Sequence, residues 1–384
     1  MVMAGVHVSI AGGISESVSR ASRIDCSSFQ IFTHSSRTWD FPEFTDQEVE
    51  EFRSRCLSEL SGAPFLIHAS YLINVATPRP DLILKSSITL NLEWELANRL
   101  GALGLVLHPG SSGGAPIGEA LERASEMISS VVEKKSSGKT KLLIENTAGA
   151  GHTLGRSPEE IARIMELVGQ PEKMGVCLDS CHLLASGYEI RNESGYLETI
   201  SRFLDAAPKR KVDAFHLNDA YAALGSAKDR HTHIGIGHIG PWFFWRLLHD
   251  QRFFDTPMVL ETPKKEGTPE DILNLAVIRR LADQKIRNQY PDRSCNDSSG
   301  GCPTNHRGTS SGFHSIEAPD RCEDKSKKNR FNRSIHQVWK CQCFPYPRPI
   351  KRSGNMCSQK SDHKTAKNPQ KIPYDRQDWH HHNP

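Results

Sequence analysis

Short apolar runs recur along the first three-quarters of the chain: "VHVSIA" (6–11), "SSFQIFT" (27–33), "PFLIHAS" (64–70), "LGLVLHPG" (103–110), "KLLIENT" (141–147), "MGVCLDS" (174–180), "VDAFHLND" (212–219) and "PMVLET" (257–262). These eight runs are nearly continuous in apolar residues, as strands covered on both faces should be. Amphipathic stretches separate most of them, several with helix-start chemistry: Thr45 with Glu48, Ser157 with Pro158 and Glu160, Thr268 with Pro269 and Asp271. Ile88, Leu92, Leu96 and Leu100 predict an apolar i+4 stripe on the helix before the fourth run. Eight strand–helix alternations in ~280 residues predict an α/β protein, a parallel (β/α)8 TIM barrel, with an open doubly wound sheet as the competing arrangement.

The pattern stops near residue 287. Residues 288–384 contain no Leu, five Ile or Val and three Phe, too few to bury a core. Charge divides at the same point: 17 Lys+Arg against 9 Asp+Glu beyond residue 287, and 31 against 36 before it. The expectation is a folded acidic body over 1–287 and a disordered basic tail over 288–384. That tail admits three readings: a phosphate-binding arm, a Cys/His module without any CxxC pair, or a read-through or frameshifted extension. The amino terminus lacks a basic n-region and no apolar run reaches the ~18 residues of a membrane span, so a cytoplasmic protein with no membrane partner is expected.

The carboxyl ends of six consecutive runs carry His68, His108, Glu145, Asp179, His216 and Glu261. In a barrel those ends meet at one mouth, where active sites sit. Nitrogen and oxygen donors without thiolate suit Zn, Mn or Fe, and this number suits more than one ion. In "GVCLDSCHLLASGY" (175–188), Cys177 shares the inward parity of Asp179 one step lower, so it belongs in the packed interior, and Cys181 lacks the spacing of a metal pair. His182 is the better donor, and with Asp229 and His231 it would complete a further His-Asp-His site. His233 and His238 are left out as loop histidines.

"HASYLINVA" (68–76), "GVCLDSCHLLASGY" (175–188) and "HLNDAYAALGSAKDRHTHIGIG" (216–237) resemble the three signature segments of endonuclease IV, the metal-dependent apurinic/apyrimidinic (AP) endonuclease family of base-excision repair. The likeness runs from about residue 5 to 283, with "GVHVSIAGG", "LHPGS", "IENTAG" and "LET" also fitting. The resemblance implies three zinc ions, with Mn or Fe possible at some sites. His68 and His108 would share the first with Glu145. Glu145 would bridge to a second, held also by Asp179, His216 and Glu261. His182, Asp229 and His231 would hold the third.

The implied reaction is hydrolysis 5′ to an abasic site in duplex DNA, leaving a 3′ hydroxyl and a 5′ deoxyribose phosphate, with a 3′-phosphodiesterase side activity. Glu145 and Glu261 would orient the nucleophile. Arg37, Tyr71 and Leu72 would enter the duplex where the abasic nucleotide flips out. The implied protein is a monomer, nucleoid-associated in a prokaryotic cell. A sugar isomerase on the same barrel is the rival enzyme, and Asp229 and His231 remote from His182 would favour it. A non-catalytic lesion-binding protein is the rival from another class, and a missing ligand would mark it.

Overall fold

A computed structural model of the chain describes residues 2–284 apart from 134–137 and 265–267; the expected boundary at 287 and the tail beyond it lie outside the described residues. Seven strands of the main sheet come first: β1 (Ala4–Val6), β2 (Phe29–Ile31), β3 (Phe65–His68), β4 (Gly104–Leu107), β5 (Lys141–Glu145), β6 (Met174–Asp179) and β7 (Ala214–His216). A small antiparallel ribbon, β8 (Asp219–Ala220) with β9 (His231–Thr232), lies in the connection that follows, and β10 (Met258–Leu260) completes the sheet. The strand order is β1-β10-β7-β6-β5-β4-β3-β2, all parallel. Between them run α1 (Glu16–Arg23), α2 (Asp46–Leu60), α3 (Pro80–Leu100), α4 (Ile117–Val132), α5 (Pro158–Val168), α6 (Ser180–Ala185), α7 (Glu193–Ala206) and α8 (Pro241–Leu248), with α9 (Thr268–Asp283) last.

The ring closes between β1 and β2, where Ser27 N donates to Ala4 O at 3.0 Å and Val8 N to Gln30 O at 2.8 Å. At this seam a Cβ on Gly5 would sit 1.5 Å from the Ser28 carbonyl oxygen, so only glycine lets the two backbones approach. The fold is therefore the TIM barrel and not the open sheet. The first strand lies earlier than the run at 6–11 predicts: Ala4, Gly5 and Val6 pair with Met258, Val259 and Leu260, and residues 8–11 already leave at the mouth. Small residues at a seam carry little apolar signal, which is why the pattern places this strand too late.

Side chains alternate across each strand. Leu66, Val106, Leu143, Cys177, Ala214 and Val259 pack together as a plug inside the barrel. Their outward neighbours, among them Ile67, Leu105, Ile144, Val176, Leu178, Phe215 and Leu260, join the core beneath the helices. Cys177 thus serves as a small apolar residue, its thiol pushed up to about 12 by burial.

Helix starts follow their chemistry. Thr45 and Glu48 form a reciprocal capping box, and the Ser157 side chain accepts the Glu160 N–H. The expected stripe on α3 is corrected: Leu96 and Leu100 are buried, but Ile88 and Leu92 are exposed. The inward face is instead Ser86, Thr89, Leu90, Glu93, Trp94 and Ala97, in which buried polar groups interrupt the apolar pattern. Among the described residues no helix is long and apolar enough to cross a membrane.

The seam supplies a stability test. Gly5→Ala should lower unfolding free energy by at least ~2 kcal/mol, because backbone rather than a movable side chain meets the new methyl. Urea midpoints of the two proteins measure it, and an unchanged midpoint would show that the strands can separate there.

Candidate metal centre

Two residues beyond each member of the plug stands one of the expected donors: Leu66 leads to His68, Val106 to His108, Leu143 to Glu145, Cys177 to Asp179, Ala214 to His216 and Val259 to Glu261. One pleat above a sealed apolar layer, all six therefore face the mouth. The same step from Gly5 and Ser28 on the first two strands brings His7 and Gln30 into this layer.

Glu145 is at the centre and fully buried. One oxygen, Oε2, lies 3.2 Å from His68 Nε2 and 2.9 Å from His108 Nε2. The other, Oε1, lies 2.9 Å from His216 Nδ1 and 3.4 Å from His182 Nδ1. Burial, the largest influence, opposes its charge, yet His216 and His108 hold it well below the ordinary carboxylate value. Two oxygens addressing different histidines are the geometry of a bridging carboxylate.

Donor atoms of Glu145, Asp179, His216 and Glu261 come within 4.8 Å of one another. So do those of His182, Asp229 and His231. His68 and His108 each meet Glu145, their rings 5.3 Å apart, but the tight groups pair His68 with His216 and His108 with His182.

The Asp-x-x-His spacing has a local cause. Asp179 ends β6 and caps α6, its Oδ1 accepting the His182 N–H at 2.8 Å, so the cap sets His182 one turn along beside the same cluster.

Asp229 and His231 are not remote from His182. His182 Nε2 and His231 Nε2 both lie 3.1 Å from Asp229 oxygens, yet neither buried nitrogen has a hydrogen-bond partner. Nitrogens that crowd a carboxylate without bonding to it fit donors arranged around a shared cation. Burial opposes the charge on both histidines, but Asp179 and Asp229 outweigh it, holding His182 well above 6.5 and His231 at about 9. Cys181 has donor atoms near Asp179 and His231, but burial raises its pKa and its S–H points to the Arg230 carbonyl. In the metal-free protein it stays a thiol.

Four functional positions escape the sequence pattern. Asn146 Oδ1 accepts the Asp179 N–H at 2.7 Å, and its carbonyl takes His182 Nδ1 at 2.8 Å. Asn218 donates to Asp179 Oδ2 at 2.6 Å and accepts the Glu261 N–H at 2.9 Å. His7 and Gln30 meet Glu261 from the other side, and burial lowers His7 to about 4 despite Glu261. The available signal is position, since each sits within two residues of a strand end. His233 lies outside the cluster, its Nδ1 taking the Asn274 amide at 3.0 Å, and His238 is exposed.

Arg37 is exposed, Tyr71 is 43 % exposed and Leu72 half-buried, all beside the mouth. The Tyr71 ring packs 5.1 Å from that of His68 and 5.3 Å from that of Phe32. The bases of these loops are fixed. Buried Glu93 accepts the Ser70 N–H at 3.1 Å and the Thr33 hydroxyl at 3.3 Å, and lies 3.4 Å from His34 Nδ1; Ser70 Oγ donates to Ser36 O.

Residues 18–280 match the family model of the xylose isomerase-like TIM barrel. The probable endonuclease 4 of Chloroflexus aurantiacus is 40 % identical over 278 residues, 72 % of this chain and 97 % of that one. Among solved structures, endonuclease IV from Thermus thermophilus is 34 % identical with a TM-score of 0.64, covering 73 % of this chain and 98 % of that one. A D-tagatose 3-epimerase-like protein, 16 % identical with a TM-score of 0.56 over 72 % of this chain and 96 % of its own, shares the fold.

Burial pushes the Glu93 carboxyl up to about 8 against the pull of Ser70 and Thr33. The folded chain then keeps this proton up to pH ~8, whereas the unfolded chain releases it near 4.5. Its contribution to stability is fully present below the unfolded value and is lost as pH rises through about 8. Glu93→Gln should flatten this part of the profile, so urea midpoints of both proteins from pH 5 to 9 should converge at low pH and separate above it. Parallel profiles would contradict it.

Proposed function

The chain belongs to the endonuclease IV family of xylose isomerase-like TIM barrels, and from that premise we propose that it is a zinc-dependent DNA-repair endonuclease. It hydrolyses the phosphodiester 5′ to an abasic site in duplex DNA, leaving a 3′ hydroxyl and a 5′ deoxyribose phosphate, with phosphodiesterase action on blocked 3′ ends as a second activity. The observation that supports this most is Glu145, its oxygens divided between His68 and His108 on one side and His182 and His216 on the other.

In this reading His68, His108 and Glu145 hold one cation; Glu145, Asp179, His216 and Glu261 a second; and His182, Asp229 and His231 a third. Cations bound there supply Lewis-acid stabilisation of a phosphate and its leaving oxygen and lower the pKa of water towards neutrality. The donor set is nitrogen and oxygen throughout, as zinc accepts.

The chain's own residues do the rest. Glu261, partly exposed where Glu145 is sealed, orients the attacking water. Arg37, Tyr71 and Leu72 enter the duplex and occupy the space of the extruded nucleotide, on loops whose bases Glu93 and Ser70 hold still. The chain acts as a monomer in the cytoplasm, over the body 1–287. The isomerase alternative needs no third donor group and would be favoured by Asp229 and His231 remote from His182, so the 3.1 Å approaches of Asp229 to His182 and His231 count against it.

The full chain incubated with a duplex containing one abasic site should incise it 5′ to the lesion, stop after prolonged chelation and recover with zinc. Metallated protein that leaves the duplex intact would overturn the proposal. Glu261→Gln should retain abasic-duplex binding and lose cleavage by at least ~10³-fold; near-normal turnover would remove Glu261 from the reaction.

Cation uptake should also release protons. His182, His216 and His231 carry them in the metal-free protein near neutrality, and neutral imidazole is the ligand. Roughly three protons per chain should appear in calorimetric titrations with zinc in buffers of different ionisation enthalpy. Affinity should weaken as pH falls below about 9. Heats independent of buffer would exclude this protonation state.

A further inference from the structure

Among the eight side chains one pleat above the plug, the six strand-end donors with His7 and Gln30, Gln30 is the one neutral amide and is fully buried. Its bonds leave nothing over. Nε2 donates to Glu261 Oε1 at 2.6 Å and to His7 Nδ1 at 3.0 Å, and Oε1 accepts from His216 Nε2 at 2.9 Å. Only one orientation of the amide works, because the flipped form would aim its NH₂ at the imidazole N–H and its oxygen at the carboxylate.

What this does to His216 separates it from the other buried histidines. His68 Nδ1 bonds to the Ala69 carbonyl at 2.7 Å, His182 Nδ1 to that of Asn146 at 2.8 Å, and His231 Nδ1 to that of Glu261 at 3.2 Å. Backbone thus fixes those three rings, whatever side chains surround them. His216 faces the cluster with its other nitrogen, Nδ1, 2.9 Å from Glu145 Oε1 and 3.3 Å from Glu261 Oε2, and the bond behind it comes from a side chain. A ligand imidazole needs its remote N–H engaged to hold both tautomer and ring plane.

We infer that Gln30 is a positioning residue for the cation group of Glu145, Asp179, His216 and Glu261: it keeps the His216 proton on Nε2, leaves Nδ1 free to ligate, and holds Glu261 at the same distance from that centre. The inference rests on the metal-dependent reading above and adds a residue to it. Because one amide grips two of the group's donors, its loss disturbs both together. The loops carrying Arg37, Tyr71 and Leu72 are anchored elsewhere, through Glu93 and Ser70, so duplex affinity does not depend on Gln30.

The test uses the full chain with Gln30→Met, which keeps the volume and removes the amide, and Gln30→Asn, which keeps the amide and withdraws it by one methylene. Zinc content is followed as a competing chelator is raised, and incision of an abasic duplex is measured in excess zinc. The expected result in either variant is release of part of the zinc at about 10–100-fold lower chelator concentration. A fall in kcat should accompany it with KM for the duplex within about twofold of the parent protein. Imidazole nitrogen shifts should show the His216 proton no longer confined to Nε2. A side chain that merely filled space would leave the zinc competition untouched.

Should the Met variant fail to fold, the Asn variant carries the comparison alone. Folded variants with parental zinc retention and kcat overturn the inference. Parent protein that retains no zinc overturns the reading beneath it, and the inference with it.

Discussion

A carboxylate taken wholly out of water costs several kcal/mol unless opposite charge and hydrogen bonds replace its hydration. Glu145 meets that condition at the centre of the barrel without Lys or Arg; imidazoles address both of its oxygens. Asp179, Asp229 and Glu261 stand around the same histidines. Four carboxylates in so small a space repel one another, and protons on histidines or bound cations are the two means of balancing them. Much of the upper barrel consists of arrangements that make this concentration of charge tolerable.

The apolar plug is the first of these. Six inward residues seal the barrel one pleat below the donors, so water can reach the cluster only from the mouth. Asn146 and Asn218 form the second, each tying two donor-bearing strands together through amide groups that carry no charge. A charged side chain in either place would add another buried ion. Glu93 repeats the logic on a smaller scale: burial keeps it largely protonated near neutrality, and it braces the loops after β2 and β3 without a second acidic centre.

How much of this could be read from the sequence follows from the same physics. The barrel is legible because strands buried on both faces must be apolar throughout. The six strand-end donors are legible because His, Glu and Asp at the end of such runs have few other reasons to be there. Asp229 and His231 depend on loop conformation, and the resemblance of whole segments does most to place them. His7 and Gln30 lie inside recognised apolar runs, 6–11 and 27–33, but not at their carboxyl ends, so nothing in the pattern singles them out. The inner face of α3 is misread for a different reason. Ser86 and Glu93 are buried with hydrogen bonds from Asn74 and Ser70, and Thr89 is buried between them, so the hydrophobic count favours Ile88 and Leu92, which face solvent.

Residues 1–287 carry a formal charge of −5, an awkward sign for a protein whose partner is a polyanion. Four of those negative charges are the clustered carboxylates. Three divalent ions among them would bring the body to about +1, with the positive field confined to the mouth by the low-dielectric plug beneath it. Charge placed this way acts on a phosphate that enters the mouth and hardly at all on the backbone elsewhere. Affinity for undamaged duplex would then stay low, because the 31 Lys and Arg of the body are offset by 32 Asp and Glu outside the cluster. On the proposed function, selectivity for a lesion would fall instead to the exposed Arg37 and Tyr71 and the half-buried Leu72, which would gain contacts only where a nucleotide can leave the stack. On that reading a nearly neutral surface and a cationic mouth would be two parts of one device for ignoring intact DNA.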